Sequence, residues 1–351
     1  MSKLVFETSD ELESAKKLLS KSVPTYRQAY SDRSAWLMAC FSELAYIKFN
    51  PPMINENLGE KIKNMLVVSE KNDRTFKSVI QLAVDKFTYD HEDERRQLKE
   101  QLSILEAELV ATFDAGGSQA LLVKTKKFIV LSFRGTEPTE LRDIKSDVDA
   151  ILMKCVTEGK VHSGFHKAYN LIELDINQAL REFVDYPLFI TGHSLGGALA
   201  TIAAKRINHL GGNAACYTFG APRVSDDYWL MTMKTPVYRV VNSSDGVTMI
   251  PPPDFIITCL SWVIGFIPAI GDILKTALRE RFGKYIHGGD MRFLTDVSAG
   301  EYDKARLLTH VDIWYRLKGW MRKELTWKKF GTDHSMAVYR SKLAFIALRR
   351  N

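Results

Sequence analysis

The sequence Gly192-His193-Ser194-Leu195-Gly196-Gly197 lies between an apolar run, Tyr186–Thr191, and a stretch of small residues, Ala198–Ala204. The apolar run predicts a buried strand and the small residues predict a helix, so the six residues form the turn between them. The glycines of that turn leave room for strand and helix to pack closely, where a Cβ would clash. Ser194 is then held in a strained conformation near the positive end of the helix. This placement is typical of a nucleophilic serine rather than of an ordinary glycine-rich turn.

The chain has 351 residues, of which 46% are hydrophobic and 26% are charged, as in an ordinary globular protein. This length allows one large α/β domain with insertions or two smaller domains. The net charge is +6, and residues 300–351 alone carry +7, from twelve Lys or Arg and five Asp or Glu. Such a segment suits an anionic membrane surface, an acidic substrate or an acidic partner, and a solvated basic surface explains it equally well. No nucleic-acid-binding motif accompanies the charge, so nucleic acid is not expected as a partner, and no protein partner is indicated.

The four cysteines are Cys40, Cys155, Cys216 and Cys259, and they form no Cys-x-x-Cys pair. Three of them, all except Cys155, have apolar neighbours. Most are therefore predicted to be buried free thiols rather than members of a disulfide framework or a metal site. Residues 1–10 mix charged with apolar residues and lack the apolar core of a secretory signal peptide. We therefore expect a protein that is cytoplasmic or exported by a non-classical route, with membrane association as a further option.

Residues 1–105 are expected to form a helical region packed on the core of the protein. Helix-like spacing of apolar residues predicts helices over 34–49 and 91–109, with a weaker pattern over 58–86. The period then changes to that of strands. Three short runs, 108–113, 119–124 and 128–132, predict a three-stranded meander.

The second half of the chain alternates between strands and helices. In chain order the predicted elements are a helix over 165–183, a strand over 187–191, a helix over 195–210, and strands over 214–219 and 237–241. This alternation predicts an α/β fold with a mostly parallel central sheet and helices on its faces.

A nucleophilic serine needs a base, an orienting carboxylate and donors for the oxyanion. In the chain order of α/β-hydrolases, the acid and then the histidine follow the serine. The acid is expected just beyond a later strand, where Asp245 follows Val237–Val241. Asp226 and Asp227 are the alternative, although their position better fits the start of a surface helix.

The base is expected among His287, His310 and His334, which all follow the candidate acid. His334 lies in a loop before a predicted helix over 338–348, and such a loop can bring an imidazole over the sheet. His287 precedes a predicted strand, where a structural role fits better, and His310 lies within a helical stretch. His193 neighbours the serine in sequence, but the sharp turn directs its side chain elsewhere.

Several segments resemble the class 3 lipase family, the fungal-lipase-like branch of the α/β-hydrolases. In chain order they are Phe133–Glu137, Asp143–Asp147, His162–Phe165, the turn at Ser194, Phe219–Val224 and Tyr238–Asn242. Ile144 stands where the family's Asp-Trp-x-x-Asp element carries Trp. The resemblance runs from about Ser118 to Pro253, with His287–Gly289 and Asp333–Ser335 as later anchors.

This resemblance implies an α/β-hydrolase domain over 106–351, with Ser194 as nucleophile, Asp245 as acid and His334 as base. In that chemistry Ser194 attacks an ester carbonyl while His334 takes its proton, and Asp245 fixes the imidazole. An acyl-enzyme forms and water releases it, without a metal or other cofactor.

The resemblance also implies an oxyanion hole formed by the backbone N–H groups of Thr136 and Leu195. His162 and Asp147 are expected to be structural rather than catalytic. The segment where the family carries its lid, residues 138–160, is mixed in charge and not strongly apolar.

Two helical insertions depart from the family's plan: an apolar one over 254–282 and a basic one over 300–330. The first contains Phe255–Gly271, seventeen residues without a charge. This run is short for a membrane-spanning helix and is interrupted by Gly265 and Pro268. We expect either a helical hairpin buried against the hydrolase core, or a cap near the active site that docks on lipid or lines an acyl pocket.

The sequence therefore predicts serine-dependent hydrolysis of carboxylic esters of lipids, of the lipase or phospholipase A type. It does not separate triacylglycerols from phospholipids. One alternative is a non-catalytic lipid-binding or membrane-inserting protein on a hydrolase scaffold, and another is an exported antibacterial phospholipase effector. The joint presence of Ser194, Asp245 and His334 argues against the first, because a scaffold alone does not require them.

Overall fold

The computed structural model describes residues 5–25, 29–47, 91–135, 151–252, 254–265, 271–309, 311–312, 315–316 and 333–350. The predicted helix over 58–86 lies outside these residues, as do His310 and most of the basic insertion.

A twisted sheet of eight strands is the centre of the described structure. The strands are β1 (Ala107–Ala115), β2 (Ser118–Thr125), β3 (Ile129–Phe133), β6 (Leu188–His193), β7 (Asn213–Phe219), β8 (Val237–Asn242), β9 (Asp290–Leu294) and β10 (Leu307–Leu308), in the order β1-β2-β3-β6-β7-β8-β9-β10. Pairing is antiparallel from β1 to β3, parallel from β3 to β9, and antiparallel between β9 and β10. A separate antiparallel pair consists of β4 (Leu152–Lys154) and β5 (Lys160–His162). The predicted meander and the mostly parallel sheet are both confirmed.

Helices cover both faces of this sheet. The N-terminal helices are α1 (Ser9–Leu19), α2 (Asp32–Leu44) and α3 (His91–Ile104), and the later ones are α4 (Ser163–Leu180), α5 (Leu195–Arg206), α6 (Asp227–Met231), α7 (Asp254–Ile264), α8 (Gly271–Phe282) and α9 (Met336–Arg349). Apolar residues of α4 and α5 fill one core with the inner strands. Those of α1, α2 and α9 fill a second core on the opposite face. The resulting three-layer arrangement is the α/β-hydrolase fold, as predicted.

The helix predicted over 91–109 ends earlier than expected, so the prediction was wrong for residues 105–109. Helix α3 stops at Ile104, and Glu106 adopts a left-handed backbone conformation with φ of +53°. Ala107 and Leu109 then pair with β2, opposite Thr125 and Val123. Leu109 continues the helical spacing of the preceding leucines, but its pairing with β2 gives it a strand conformation.

The apolar insertion forms a helical hairpin from α7 and α8, which pack against each other. Ile257 and Ser261 are buried on its inner side. Four apolar side chains are exposed, namely Leu260 (44%), Trp262 (68%), Ile273 (70%) and Leu274 (43%). The hairpin therefore buries one side and presents an apolar surface on another. Within the described residues, no helix is both long enough and apolar enough to cross a membrane.

All four cysteines are free thiols, but only two of them are fully buried. Cys40 lies inside α2 and Cys216 inside β7, whereas Cys155 is half-buried. Cys259 is exposed on α7, contrary to the expectation drawn from its apolar neighbours, because that side of the hairpin faces solvent.

Candidate active site

The turn between β6 and α5 holds Ser194 in the strained conformation that the sequence predicts. Its φ is +57° and its ψ is −127°, in a region that residues with a side chain rarely adopt. A Cβ on Gly192 would overlap the backbone of Gly196, and one on Gly196 would overlap the backbone of Phe133. The backbone N–H of Ser194 donates to Phe219 at 2.9 Å, which fixes the turn against β7.

Three predicted side chains meet at this turn. The Oγ of Ser194 lies 2.8 Å from Nε2 of His334. The other ring nitrogen of His334, Nδ1, lies 2.8 Å from Oδ2 of Asp245. All three residues are almost fully buried. The structure thus brings together residues separated by up to 140 positions in a linear Ser–His–Asp arrangement.

Two further donors hold the carboxylate of Asp245. The backbone N–H of Val247 donates to Oδ1 at 2.9 Å, and the Tyr339 hydroxyl donates to Oδ2 at 2.6 Å. The Tyr339 hydroxyl in turn accepts from the backbone N–H of Asn242 at 2.9 Å. Burial and the Asp245 charge raise the pKa of Tyr339 well above its ordinary value, so its hydroxyl remains a donor. Sequence reasoning missed Tyr339, although its place on the predicted helix after His334 was a usable signal.

Polar contacts also join the strand before the acid to the loop that carries the base. Asn242, the last residue of β8, donates through its side-chain amide to the carbonyl of Asp333 at 2.9 Å. Its side-chain oxygen accepts from Nζ of Lys342 at 2.6 Å, and Lys342 also donates to the carbonyl of Thr295 at 3.0 Å. Lys342 is fully buried on α9. These contacts fix the distance between the carboxylate and the imidazole.

Gly220 leaves the space in which the carboxylate and the imidazole meet. It follows β7 with a φ of +59°. A Cβ built there would lie 2.5 Å from Oδ2 of Asp245 and 3.0 Å from Nδ1 of His334. Only glycine fits this position without displacing one of the two side chains.

Of the two residues predicted for the oxyanion hole, the structure describes Leu195 but not Thr136. Leu195 is the first residue of α5, directly after Ser194. Thr136 lies outside the described residues. The neighbouring Gly135 is described, and a Cβ there would lie 3.1 Å from that of Ser194. The segment Phe133–Glu137, which is predicted to contribute the Thr136 donor, therefore approaches Ser194 at Gly135.

The remaining candidates occupy other positions. Nε2 of His287 lies 2.7 Å from the carbonyl of Thr248, whereas it is His334 that contacts Ser194. The Nδ1 of His162 accepts from the backbone N–H groups of Gly164 and Phe165 at 3.2 and 3.4 Å and so caps α4.

Asp226 caps α6, the surface helix expected there, through a bond from the N–H of Trp229 at 2.9 Å. Asp147 lies outside the described residues. Among the described residues, no group of three or more His, Cys, Asp or Glu side chains is placed to hold a metal ion.

Comparison with known families identifies the segment that carries most of this site. The family model for Lipase (class 3) matches residues 130–255, which include Ser194 and Asp245. These residues, 130–255, are called the class 3 lipase segment below because they match that family model. This class 3 lipase segment covers a little over a third of the chain, and His334 lies beyond it.

Individual relatives of the class 3 lipase segment come from fungi and plants. A secreted mono- and diacylglycerol lipase of Fusarium solani is 26% identical over 236 residues, or 62% of this chain and 70% of that protein. A chloroplastic phospholipase A(1) of Arabidopsis thaliana is 38% identical over 97 residues, or 25% of this chain and 22% of that protein. Among solved structures, the Rhizomucor miehei lipase–propeptide complex is similar with a TM-score of 0.48 and 20% identity, over 81% of this chain and 82% of that one.

Proposed function

We propose that the chain hydrolyses carboxylic esters of lipids, with Ser194 as nucleophile, His334 as general base and acid, and Asp245 as the orienting carboxylate. The observation that carries the proposal is the pair of 2.8 Å contacts from His334 to Ser194 Oγ and to Asp245 Oδ2. The lipase and phospholipase A(1) relatives support a lipid ester as the substrate.

In the proposed reaction, His334 removes the proton of Ser194 as Oγ attacks the ester carbonyl. The ester C–O bond breaks, the leaving alcohol takes the proton from His334, and the acyl group remains on Ser194. Water then attacks the acyl-enzyme with the same histidine as base and releases the carboxylic acid. Asp245 holds the imidazole in the tautomer that presents an unprotonated Nε2 to Ser194.

The tetrahedral oxyanion would be stabilised by the backbone N–H groups of Leu195 and Thr136. Leu195 is suited to this role because the first N–H groups of a helix have no intrahelical partner. Each donor is expected to contribute about 3 kcal/mol to transition-state stabilisation.

The test is hydrolysis of a panel of triacylglycerol, diacylglycerol and phospholipid dispersions, with the released acids and remaining lipids identified by mass spectrometry. We expect one or more of these esters to be cleaved by the wild type. Ser194→Ala should lower the rate by about a thousandfold or more, since it removes the nucleophile. Full activity of this variant would overturn the proposal, and so would the absence of hydrolysis of any of these lipids by a folded wild type.

We further propose that the α7–α8 hairpin contacts an anionic lipid surface near the site. It begins nine residues after Asp245, and the carbonyl of Pro251, just before it, is held by Arg223 at 2.6 Å. Trp262 and Ile273 are about two-thirds exposed on it, and α8 carries three basic side chains (Lys275, Arg279 and Arg281) against two acidic ones (Asp272 and Glu280). An exposed tryptophan beside aliphatic and cationic side chains suits the boundary between headgroups and acyl chains.

The double variant Trp262→Ser/Ile273→Ser tests this surface. We expect binding to anionic phospholipid vesicles and hydrolysis of dispersed lipid to fall by about tenfold, because apolar area is lost from the interface. Hydrolysis of soluble p-nitrophenyl butyrate should stay within about twofold of the wild-type rate, since the triad is untouched.

Leu174→Ser is the matched control, because Leu174 is 76% exposed on a different helix, α4. It should change neither activity. Equal losses of the double variant on lipid and on soluble ester, or no loss on lipid, would contradict this role.

A further inference from the structure

His193, the residue before the nucleophile, makes two hydrogen bonds that the triad does not include. Its Nε2 lies 2.7 Å from the backbone carbonyl of His334, and its Nδ1 lies 2.7 Å from the hydroxyl of Tyr46. Its ring is buried and lies over that of His334, with centroids 4.5 Å apart. The same side chain thus contacts the backbone and the ring of the proposed base.

The chemistry of these partners fixes the direction of both bonds. A backbone carbonyl only accepts, so Nε2 of His193 carries the hydrogen. Burial and the neighbouring His334 lower the pKa of His193 well below its ordinary value, so the ring is neutral and Nδ1 accepts. The Tyr46 hydroxyl is therefore the donor. A donor at Nδ1 favours the neutral ring, which avoids a second positive charge beside His334 when that residue takes the Ser194 proton.

Tyr46 reaches this position because α2 is docked on β6, the strand that leads to the nucleophile, and on its neighbour β3. The Ser42 and Thr191 hydroxyls lie 2.8 Å apart, and the Ser132 hydroxyl donates to the carbonyl of Phe41 at 3.0 Å. Tyr46 follows α2 by two residues and lies well outside the class 3 lipase segment. A residue of the N-terminal region is therefore connected to the proposed base through a single side chain.

We infer that Tyr46 and His193 are positioning residues for His334: His193 holds its backbone and Tyr46 keeps His193 neutral and oriented. This inference rests on the proposed hydrolysis through Ser194. It implies that the N-terminal helical region is part of the catalytic unit rather than an appendage to it.

The test compares His193→Leu, His193→Gln and Tyr46→Phe by steady-state kinetics on a soluble p-nitrophenyl ester. Leucine removes the donor to His334, so kcat should fall by about tenfold while KM stays within about twofold. Glutamine can place an amide N–H near the position of Nε2 and should restore kcat to within about threefold of wild type. Tyr46→Phe removes only the hydroxyl and should lower kcat by about threefold to tenfold, again without a change in KM.

Tyr169→Phe is the control for loss of a buried tyrosine hydroxyl. Tyr169 is buried on α4, and its hydroxyl has no hydrogen-bond partner in the described structure, so kcat should not change. If His193→Leu does not fold, Tyr46→Phe and His193→Gln decide the question. Wild-type kcat in Tyr46→Phe, or a fall in kcat no smaller in glutamine than in leucine, would overturn the inference. An active Ser194→Ala would instead overturn the proposed function, so the two failures are distinguishable.

Discussion

At the scale of single residues, the site depends on a few positions where the backbone approaches the triad. Gly220 is the sharpest case, because its missing side chain is the space occupied by the Asp245–His334 hydrogen bond. Neither the strand pattern nor the motif around Ser194 indicates this role. It arises from tertiary contacts between residues far apart in the chain.

Gly220→Ala is expected to lower kcat by about a hundredfold, since displacement of a catalytic group by about 1 Å has effects of this size. Steady-state hydrolysis of a soluble ester measures it. Gly212→Ala is the matched control: Gly212 has a comparable positive φ of +81°, but nothing lies within 4 Å of a Cβ built there. Gly212→Ala therefore introduces backbone strain without a steric clash, and it should keep the wild-type kcat. Similar losses in both variants would show that strain, not displacement of the triad, is responsible.

Lys342 is a second residue whose role only the structure shows. It is fully buried and donates to the side chain of Asn242 and the carbonyl of Thr295. Lys342→Met keeps much of the side-chain volume but removes the donor to both acceptors, leaving the carbonyl of Thr295 without Lys342 and the Asn242 oxygen with only the longer bond from the Ser243 N–H at 3.2 Å. We expect the free energy of unfolding to fall by about 2–3 kcal/mol.

Urea denaturation measures this change, and Lys127→Met, at an exposed lysine in the turn before β3, is the control. A loss confined to Lys342→Met supports the role of its buried bonds. Unchanged stability in Lys342→Met would contradict it.

At the scale of elements, local pattern predicted most of the strands and helices around the nucleophile. The strand before Ser194 and the helix after it lie where the apolar and small-residue runs place them. Prediction failed where tertiary pairing competes with periodicity. Residues 105–109 continue a helical leucine stripe, yet residues 107–109 pair with β2. Contacts with a partner strand decide whether such residues form a helix or a strand. The sequence of one segment alone does not show those contacts.

The site was predictable where its residues lie next to a strand or helix that the sequence pattern indicates. Asp245 follows a strand and His334 precedes a helix, so each could be placed by chain order. Tyr46 and Gly220 could not be placed in this way, because their roles depend on which elements pack together, and for Tyr339 the only signal was its place on the helix after His334. The sequence left open, for the same reason, whether the α7–α8 hairpin is buried or exposed, since apolar composition does not tell which side of a helix is covered.

At the scale of the whole molecule, the two described histidines with the most strongly lowered pKa values couple folding to pH. Burial lowers the pKa of both His193 and His287 well below the ordinary value of 6.5. His334 adds to the effect on His193, and Arg239, Arg223 and Arg316 add to the effect on His287. The unfolded chain therefore binds more protons than the folded chain once the pH falls below about 6.5.

We expect the stability contributed by these groups to be fully present above pH 6.5 and to be lost as the pH falls towards their folded-state pKa values. Each group should contribute a slope of about 1.4 kcal/mol per pH unit in that window. His287→Gln removes one titrating group and keeps an amide that can donate to Thr248, so it should flatten the slope by about that amount. Urea denaturation between pH 5 and pH 7.5 measures the slope. An unchanged slope in the variant would show that His287 does not take up a proton on unfolding.

The proposed hydrolysis requires that Ser194 carries the acyl group during turnover. The most direct measurement is acid quenching of the protein during turnover of a p-nitrophenyl ester, followed by mass spectrometry of its peptides. We expect an acyl adduct on the Ser194-containing peptide of the wild type. Ser194→Ala should carry no adduct and should lose hydrolytic activity. Undiminished hydrolysis by Ser194→Ala, or an acyl adduct on another residue with Ser194 unmodified, would contradict it.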